Sequence, residues 1–435
     1  MVEISSIYLQ LLIFFIIFQF PFNKFILDKC SNLRFNFFEI ITLNIIIHLF
    51  FYLFISFLSI SLRMYFIFEI CLGLSFVIFN TINLLKKNEL IADNNLFLII
   101  IFIIFNIILF TNIAMHIGLE WDGLSHWIYK AQVYFQGGTY ADFKHIDYSH
   151  YPQLGSFLWA FFWKNSFLQH EYLGRLIFPF LYLVGIFFAV SDLKNKENLL
   201  VKIILIIVLI TLSLDYYLFG GYQDYLLFFE LLVFSKFFIL YRANKSNLLF
   251  FILFLDTILI LWTKQEGFFY NIILILVFVI FCEQKNKIKF LFIIMVISSM
   301  YLQVVLKNNM IGNFSFNEPI IHDGLLRYFQ ISEVINIFLL ISKNVIISFF
   351  KYPIWILIIG TLSYAQFIYK LKIENFIKFY FLIYFMFVYG IYFQTSELDL
   401  PILLTITVDR ILLQGSGFMI YPIVILLNNI ITKNK

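Results

Sequence analysis

Runs of 16 to 22 apolar residues recur along the whole chain, and the short stretches between them collect most of the charged and polar side chains. A bilayer core takes about 20 residues of helix. Hydrocarbon satisfies no backbone polar group, so runs of this length predict helices rather than a barrel. By this length criterion the pattern predicts an all-α polytopic membrane protein with about 13 transmembrane helices. Two apolar stretches are expected not to cross. Residues 153–163 are too few, and Lys343 and Asn344 interrupt residues 334–350, so each is expected to be re-entrant or interfacial. The first run, residues 4–22, has no preceding Lys or Arg and no small-residue cleavage site, so it reads as a retained helix.

Composition agrees. Of 435 residues, 62% are hydrophobic and 13% charged, where a soluble domain has about 45–50% and about 25%. The net charge of +4 is small and scattered, which argues against a nucleic-acid partner and leaves the basic residues to report topology. Cys30, Cys71 and Cys282 lie far apart without metal spacing, and no disulfide is expected. The heavy use of Phe, Ile, Asn and Lys points to an AT-rich genome, hence a bacterium and its inner membrane.

The loop with Lys24, Lys29 and Arg34 and the loop with Lys86 and Lys87 are two spans apart, so both are placed inside and the N-terminus outside. Continuing the count, Lys194 with Lys196, Arg242 with Lys245, residues 283–289, residues 370–378 and the C-terminal lysines are also inside. Four polar groups then share the outer, periplasmic face: residues 120–151, 220–224, 264–266 and 394–410. A fifth outer segment, 307–333, carries His322, Asp323 and Arg327 and is expected to form a lid or acceptor surface.

Ionisable groups beside hydrocarbon are expensive to keep, so these outer groups are the candidate site. Glu120 and Asp122, two residues apart, face the same way on an extended loop and offer a base and a metal or hydroxyl ligand. Two solvated acids at a helix exit are the competing reading. His126 and Lys130 follow Asp122 at four-residue spacing, so a helix over 123–136 lines all three on one face. Trp121, Trp127, Tyr129, Tyr134 and Phe135 would then rest in the interfacial belt, and a belt helix without catalytic duty is the alternative. His145, Asp147 and His150 precede Tyr151 and Pro152, where the chain turns back towards lipid. They offer ligands to a divalent metal ion, the one cofactor the sequence suggests, although polar turn residues are the simpler reading.

Glu171 and Arg175 have i,i+4 ion-pair spacing. Asp224 opens a span behind Gly220 and Gly221, and Lys264 and Glu266 lie at a similar depth. Lys as a point charge and Arg as a fork are what a lipid-linked phosphate requires. For Lys264 the alternative is snorkelling towards headgroups. Asp409 and Arg410 open the last span, where the guanidinium needs either Asp409 or an anionic ligand as partner.

Several of these pieces, in this order, resemble the GT-C superfamily of polytopic glycosyltransferases that use polyprenyl-phosphate-linked sugars, and most closely the bacterial relatives of the protein mannosyltransferase group. The residues that carry the resemblance are Trp121-Asp122 with Trp127 and Lys130-Ala131, Tyr151-Pro152 with Leu154, Gly221-Tyr222 with Asp224, Lys264 with Glu266-Gly267, and Thr407 with Asp409-Arg410 and Gln414. The resemblance implies an inverting transfer of a sugar from a polyprenyl-phosphate donor to a glycan, lipid or protein acceptor at the outer face. It implies Asp122 as base with Glu120 completing an acidic pair, Asp224 as a second acidic position, and Arg410 and Lys264 on the donor phosphate. His126, Lys130, His150, Tyr151, Glu266 and Asp409 are expected to line the donor and acceptor loops. It divides the chain into an N-terminal membrane extension of three helices, residues 1–95, and a GT-C-like module, residues 96–435. A lipid-linked glycan polymerase or ligase and a non-enzymatic transporter are the other readings. The first expects its chemistry in a large late loop, and the second expects charges within spans.

Overall fold

The computed structural model describes residues 2–30, 33–87, 95–146, 148–193, 199–215, 218–312, 331–393 and 400–433. The expectations for Asp147, Lys194, Lys196, His322, Asp323 and Arg327 fall outside the described residues.

The described chain is all helical, without a strand. In order, the helices are α1 (Val2–Ile17), α2 (Lys24–Cys30), α3 (Phe37–Ile55), α4 (Leu62–Lys87), α5 (Asn95–Met115), α6 (Ile128–Gln136), α7 (Leu154–Lys164), α8 (Glu171–Arg175), α9 (Ile177–Val190), α10 (Leu199–Ser213), α11 (Asp224–Asn244), α12 (Asn247–Thr263), α13 (Gly267–Phe281), α14 (Asn286–Ile311), α15 (Ile331–Lys351), α16 (Ile354–Phe367), α17 (Asn375–Phe393) and α18 (Leu400–Lys433). Among the described residues, 8 helical stretches are long and apolar enough to cross a membrane. The protein is therefore an integral membrane protein of the helical class.

Local chemistry sets the ends of these helices. Asn36 and Glu39 form a reciprocal capping box at the start of α3. Gly137, at φ +98°, closes α6 in a conformation that favours glycine.

α9 is buried along its whole length, and α11 packs against α9, α12 and α18. These four helices are the centre of one apolar cluster that runs from Ile7 to Ile430. α4, α14 and α15 lie at its edge and turn most of their surface outward: their apolar windows are only 17%, 22% and 22% buried. In water such surface would be a liability; in lipid it is the solvent-facing side.

Of the two stretches expected not to cross, α7 stays out of the count and α15 is among the 8. α7 is short, but every residue from Leu154 to Phe162 is buried, so it is a core helix rather than an interfacial one. α15 is a continuous helix that Lys343 and Asn344 do not interrupt, because the Asn344 amide donates to the carbonyl of Leu340 within its own helix. Its direction is fixed by α18. Ser348 bonds Asp409, and the Trp355 indole in α16 donates to the Leu412 carbonyl at 2.8 Å, so α15 and α16 follow α18 in the same sense, one after the other.

Far from the start of α11, Lys236 is fully buried and donates to the Phe188 carbonyl at 2.7 Å. It also lies 3.0 Å from Glu39 and 3.4 Å from Asp192, and the Tyr421 hydroxyl closes the group on Asp192 at 2.7 Å. α3, α9, α11 and α18 are thereby tied together there. Asp224 and Lys236 are twelve residues apart on α11, about 18 Å along the axis.

Candidate functional site

The other end of the same helices holds the candidate site, and its framework is built from main chain. Arg175, wholly buried, donates to the carbonyls of Ile117 at 2.7 Å, Phe219 at 2.7 Å and Gly118 at 3.2 Å, and its Nε meets Glu171 at 2.8 Å. The expected i,i+4 pair is present, but its larger effect is to gather two loops that are distant in sequence. Glu120 N–H then donates to the Gly220 carbonyl at 3.1 Å. At Gly123 a Cβ would sit 2.3 Å from that same carbonyl, so only glycine lets the two backbones approach this closely.

From Trp121 the chain is helical to Gln136, as the spacing predicts, but Gly123–Trp127 is a π-turn in which Ile128 N–H donates to the Gly123 carbonyl. The wider turn breaks the expected alignment of Asp122, His126 and Lys130. Lys130 points into the protein, bonds the Tyr151 carbonyl at 2.8 Å and is enclosed by the rings of Trp127, Phe143 and Tyr151. Burial, then the charge of Lys307, holds its ammonium well below the usual lysine range. Lys130 therefore pins the loop at Tyr151 instead of facing Asp122. His126 stacks on Tyr151 at 5.3 Å, with Trp121 edge-on at 5.1 Å. Burial pushes its imidazole down, against the opposing charge of Asp122. The expected aromatic belt is split: Trp121 and Tyr129 are exposed, whereas Trp127 and Tyr134 are buried in the core.

Asp122, Asp224, Lys264 and Arg410 converge. Asp224, at the first position of α11 and fully buried, takes Lys264 at 2.8 Å and Arg410 Nε at 3.2 Å. It also accepts from Gln414, one turn beyond Arg410 on α18. Arg410 Nη2 reaches Asp122 Oδ2 at 2.5 Å and Asp224 Oδ2 at 3.1 Å, and its guanidinium lies 4.3 Å above the Tyr222 ring. Burial first, then the charge of Asp122, pushes the Tyr222 phenol up to about 12, so it stays neutral. Lys264 is 2% exposed and does not snorkel. Glu266 is 3.7 Å from Lys264, at the edge of the group.

Two expected members are elsewhere. Asp409 turns away from Arg410 and is bonded by Lys351 at 2.7 Å and by Ser348. Glu120 is exposed beside Gly220 and takes no part in the ion network. Of the histidines, His145 is exposed, and His150, half-buried, packs on Tyr151 at 4.9 Å. Among the described residues no three His, Cys, Asp or Glu side chains gather as metal ligands. Asp122 and Asp224 are both held by cationic side chains, a surrounding that does not fit a divalent cation.

An apolar groove of about 410 Å³ runs between α13 and α14, walled by Phe268, Ile272, Leu276, Ile297, Met300 and Tyr301. Phe268, at its upper end, follows Gly267 and Glu266 directly. The sequence signals that led here were charged residues at helix ends. Tyr222 and Gln414 carried no assigned role, and the carbonyl cradle of Arg175 has no sequence signature at all.

Comparison with protein-family models, with curated proteins and with solved structures finds no match to the chain.

Proposed function

We propose that the protein is a membrane glycosyltransferase that moves a sugar from a polyprenyl-phosphate donor to an acceptor at the outer face of a bacterial inner membrane, with inversion. The observation that carries this reading is the convergence of two carboxylates and two cations from four separate segments at one end of the bundle, Asp122, Asp224, Lys264 and Arg410. An inverting transfer needs a base at the acceptor hydroxyl and positive charge at the departing phosphate. Asp122 takes the hydroxyl proton as the new bond to the anomeric carbon forms. The bond from that carbon to the phosphate oxygen breaks, and Arg410 and Lys264 hold the leaving polyprenyl phosphate. No step is routed through a metal ion.

The apolar groove between α13 and α14 supports a lipid-borne donor, since a prenyl chain lying there would put its head at the start of α13, the end that follows Lys264 and Glu266 in sequence. Orientation is supported by Arg242 and Glu374, which pair beyond Lys236 at the end opposite the network. Arg242 belongs to the basic loops that the positive-inside rule assigns to the cytoplasm.

The test is direct. Purified protein in lipid is given a radiolabelled polyprenyl-phosphate sugar with candidate acceptors, beside an Asp122→Asn variant that elutes and melts like the parent. Label should leave the donor with the parent and stay with the variant; equal turnover in the two would overturn the assignment of Asp122.

A transport reading has one observation of its own. Glu230 and Asp256 are fully buried within α11 and α12, and both oxygens of Asp256 lack a hydrogen-bond partner among the described residues. Movement of the intact lipid-linked sugar across proteoliposomes, abolished in Asp256→Leu, would favour transport over transfer.

A further inference from the structure

In the arrangement described, Asp122 is a poor base and Arg410 a poor phosphate ligand, because each neutralises the other at 2.5 Å. The two acids on Arg410 are not equivalent. Asp224 has no exposed side-chain surface and is bonded by Arg410, Lys264 and Gln414. Asp122 is 10% exposed, and among the described residues its side-chain hydrogen bond is to Arg410. An incoming anion that reaches this guanidinium therefore meets one anchored competitor and one replaceable competitor.

We propose that the donor phosphate and Asp122 compete for Arg410 Nη2, so that donor binding hands the guanidinium from the carboxylate to the phosphate and frees Asp122 to act on the acceptor. This rests on the transferase reading of the site. Two features suit the exchange. The guanidinium lies over the Tyr222 ring and is held by Asp224 through Nε, so it keeps its place while the partner of Nη2 changes. Asp122 immediately precedes the π-turn, where the i→i+5 bond of Ile128 leaves a looser turn that lets the carboxylate swing without unwinding α6. The exchange also orders the reaction: the base is available only when a donor is present. Once Asp122 has taken the acceptor proton it is neutral, and it no longer contests Arg410 with the departing phosphate.

The experiment measures binding of a short, water-soluble prenyl phosphate to the full-length protein in detergent, by calorimetry. Removing the competitor should strengthen binding, so Asp122→Asn is expected to bind about tenfold more tightly than the parent, the scale of one charged hydrogen bond. Asp122→Glu, which restores a competing carboxylate, should return towards the parent. Glu120→Gln removes the same charge two residues away without touching Arg410 and should change affinity by less than about twofold. Where the asparagine variant does not fold, Asp122→Ala makes the same prediction. Unchanged or weaker binding by the Asp122 variants, with the parent still binding, overturns the exchange and leaves the phosphate site standing. Equal tightening in Glu120→Gln overturns it too, by showing a general charge effect. Absence of binding in the parent and every variant overturns the exchange and the transferase reading together.

Discussion

Arg410 Nη2 and Asp122 Oδ2 meet at 2.5 Å although 288 positions separate the residues in sequence. Only with the bundle assembled are they neighbours, so the site is a product of the fold as a whole, and its parts are expected to fail in different ways.

Asp224 is the anchor of the network, and Asp224→Ala would leave Lys264 and one side of Arg410 buried without their main counter-charge. The expected loss is about 3–5 kcal/mol of stability. A lower thermal midpoint in detergent, together with loss of transfer, is the outcome to look for; a parent-like midpoint would show that water already serves these cations.

For Arg410 the shape of the charge matters. Arg410→Lys keeps the charge but loses the fork, and should weaken prenyl phosphate binding by about tenfold. Arg410→Ala should remove measurable binding. If affinity is unchanged in both while thermal stability falls, Arg410 serves only to hold Asp122 and Asp224 together.

Arg175 touches neither carboxylate, yet it sets the distance between the two loops that carry them. Arg175→Lys retains the partner of Glu171 but cannot serve three carbonyls in a plane. Transfer is expected to fall by up to about a hundredfold, the usual consequence of misplacing reacting groups by an ångström or so. Partial recovery at high acceptor concentration would separate misplacement from unfolding.

Asp256 predicts a gain. A buried carboxyl with neither oxygen bonded costs about 1–3 kcal/mol. Asp256→Leu should therefore raise the thermal midpoint. A fall instead would mean that this carboxyl has a partner essential to packing.

Acid should destabilise the protein partly through His150. Burial, then the charges of Lys130, Lys307 and His126, pushes its imidazole from 6.5 down to about 4. The unfolded chain therefore binds a proton that the folded chain refuses, so stability falls as pH drops from about 6.5 to about 4 and levels off below. His150→Gln should flatten that part of the stability profile; an unchanged slope would place the acid sensitivity elsewhere.

The helical class and the cationic and acidic positions at helix ends were legible because hydropathy and charge are properties of single segments, whereas the central place of α9 and α11 was not, because burial depends on the packing of the whole bundle. Partners were not. Asp409 and Arg410 are adjacent, which suggested a pair, but successive helix residues point about 100° apart. One therefore faces Lys351 on α15, and the other faces the core. The alignment of His126 and Lys130 with Asp122 was lost because the π-turn changes the angular step, and the backbone against which that turn packs, at Gly220, lies in another part of the chain.

Lys236 has a consequence for how this protein can move. α11 and α18 are fastened to each other at Asp224 and Arg410, and again at Lys236 and Tyr421 through Asp192. Two rods riveted at two levels cannot slip past each other or splay without breaking an ionic contact or a hydrogen bond to one. Any opening that admits a lipid-borne substrate must then come from the outward-facing helices α4 and α14, whose apolar windows are only 17% and 22% buried. The chemistry would work against a fixed wall, with all of the travel on the substrate's side.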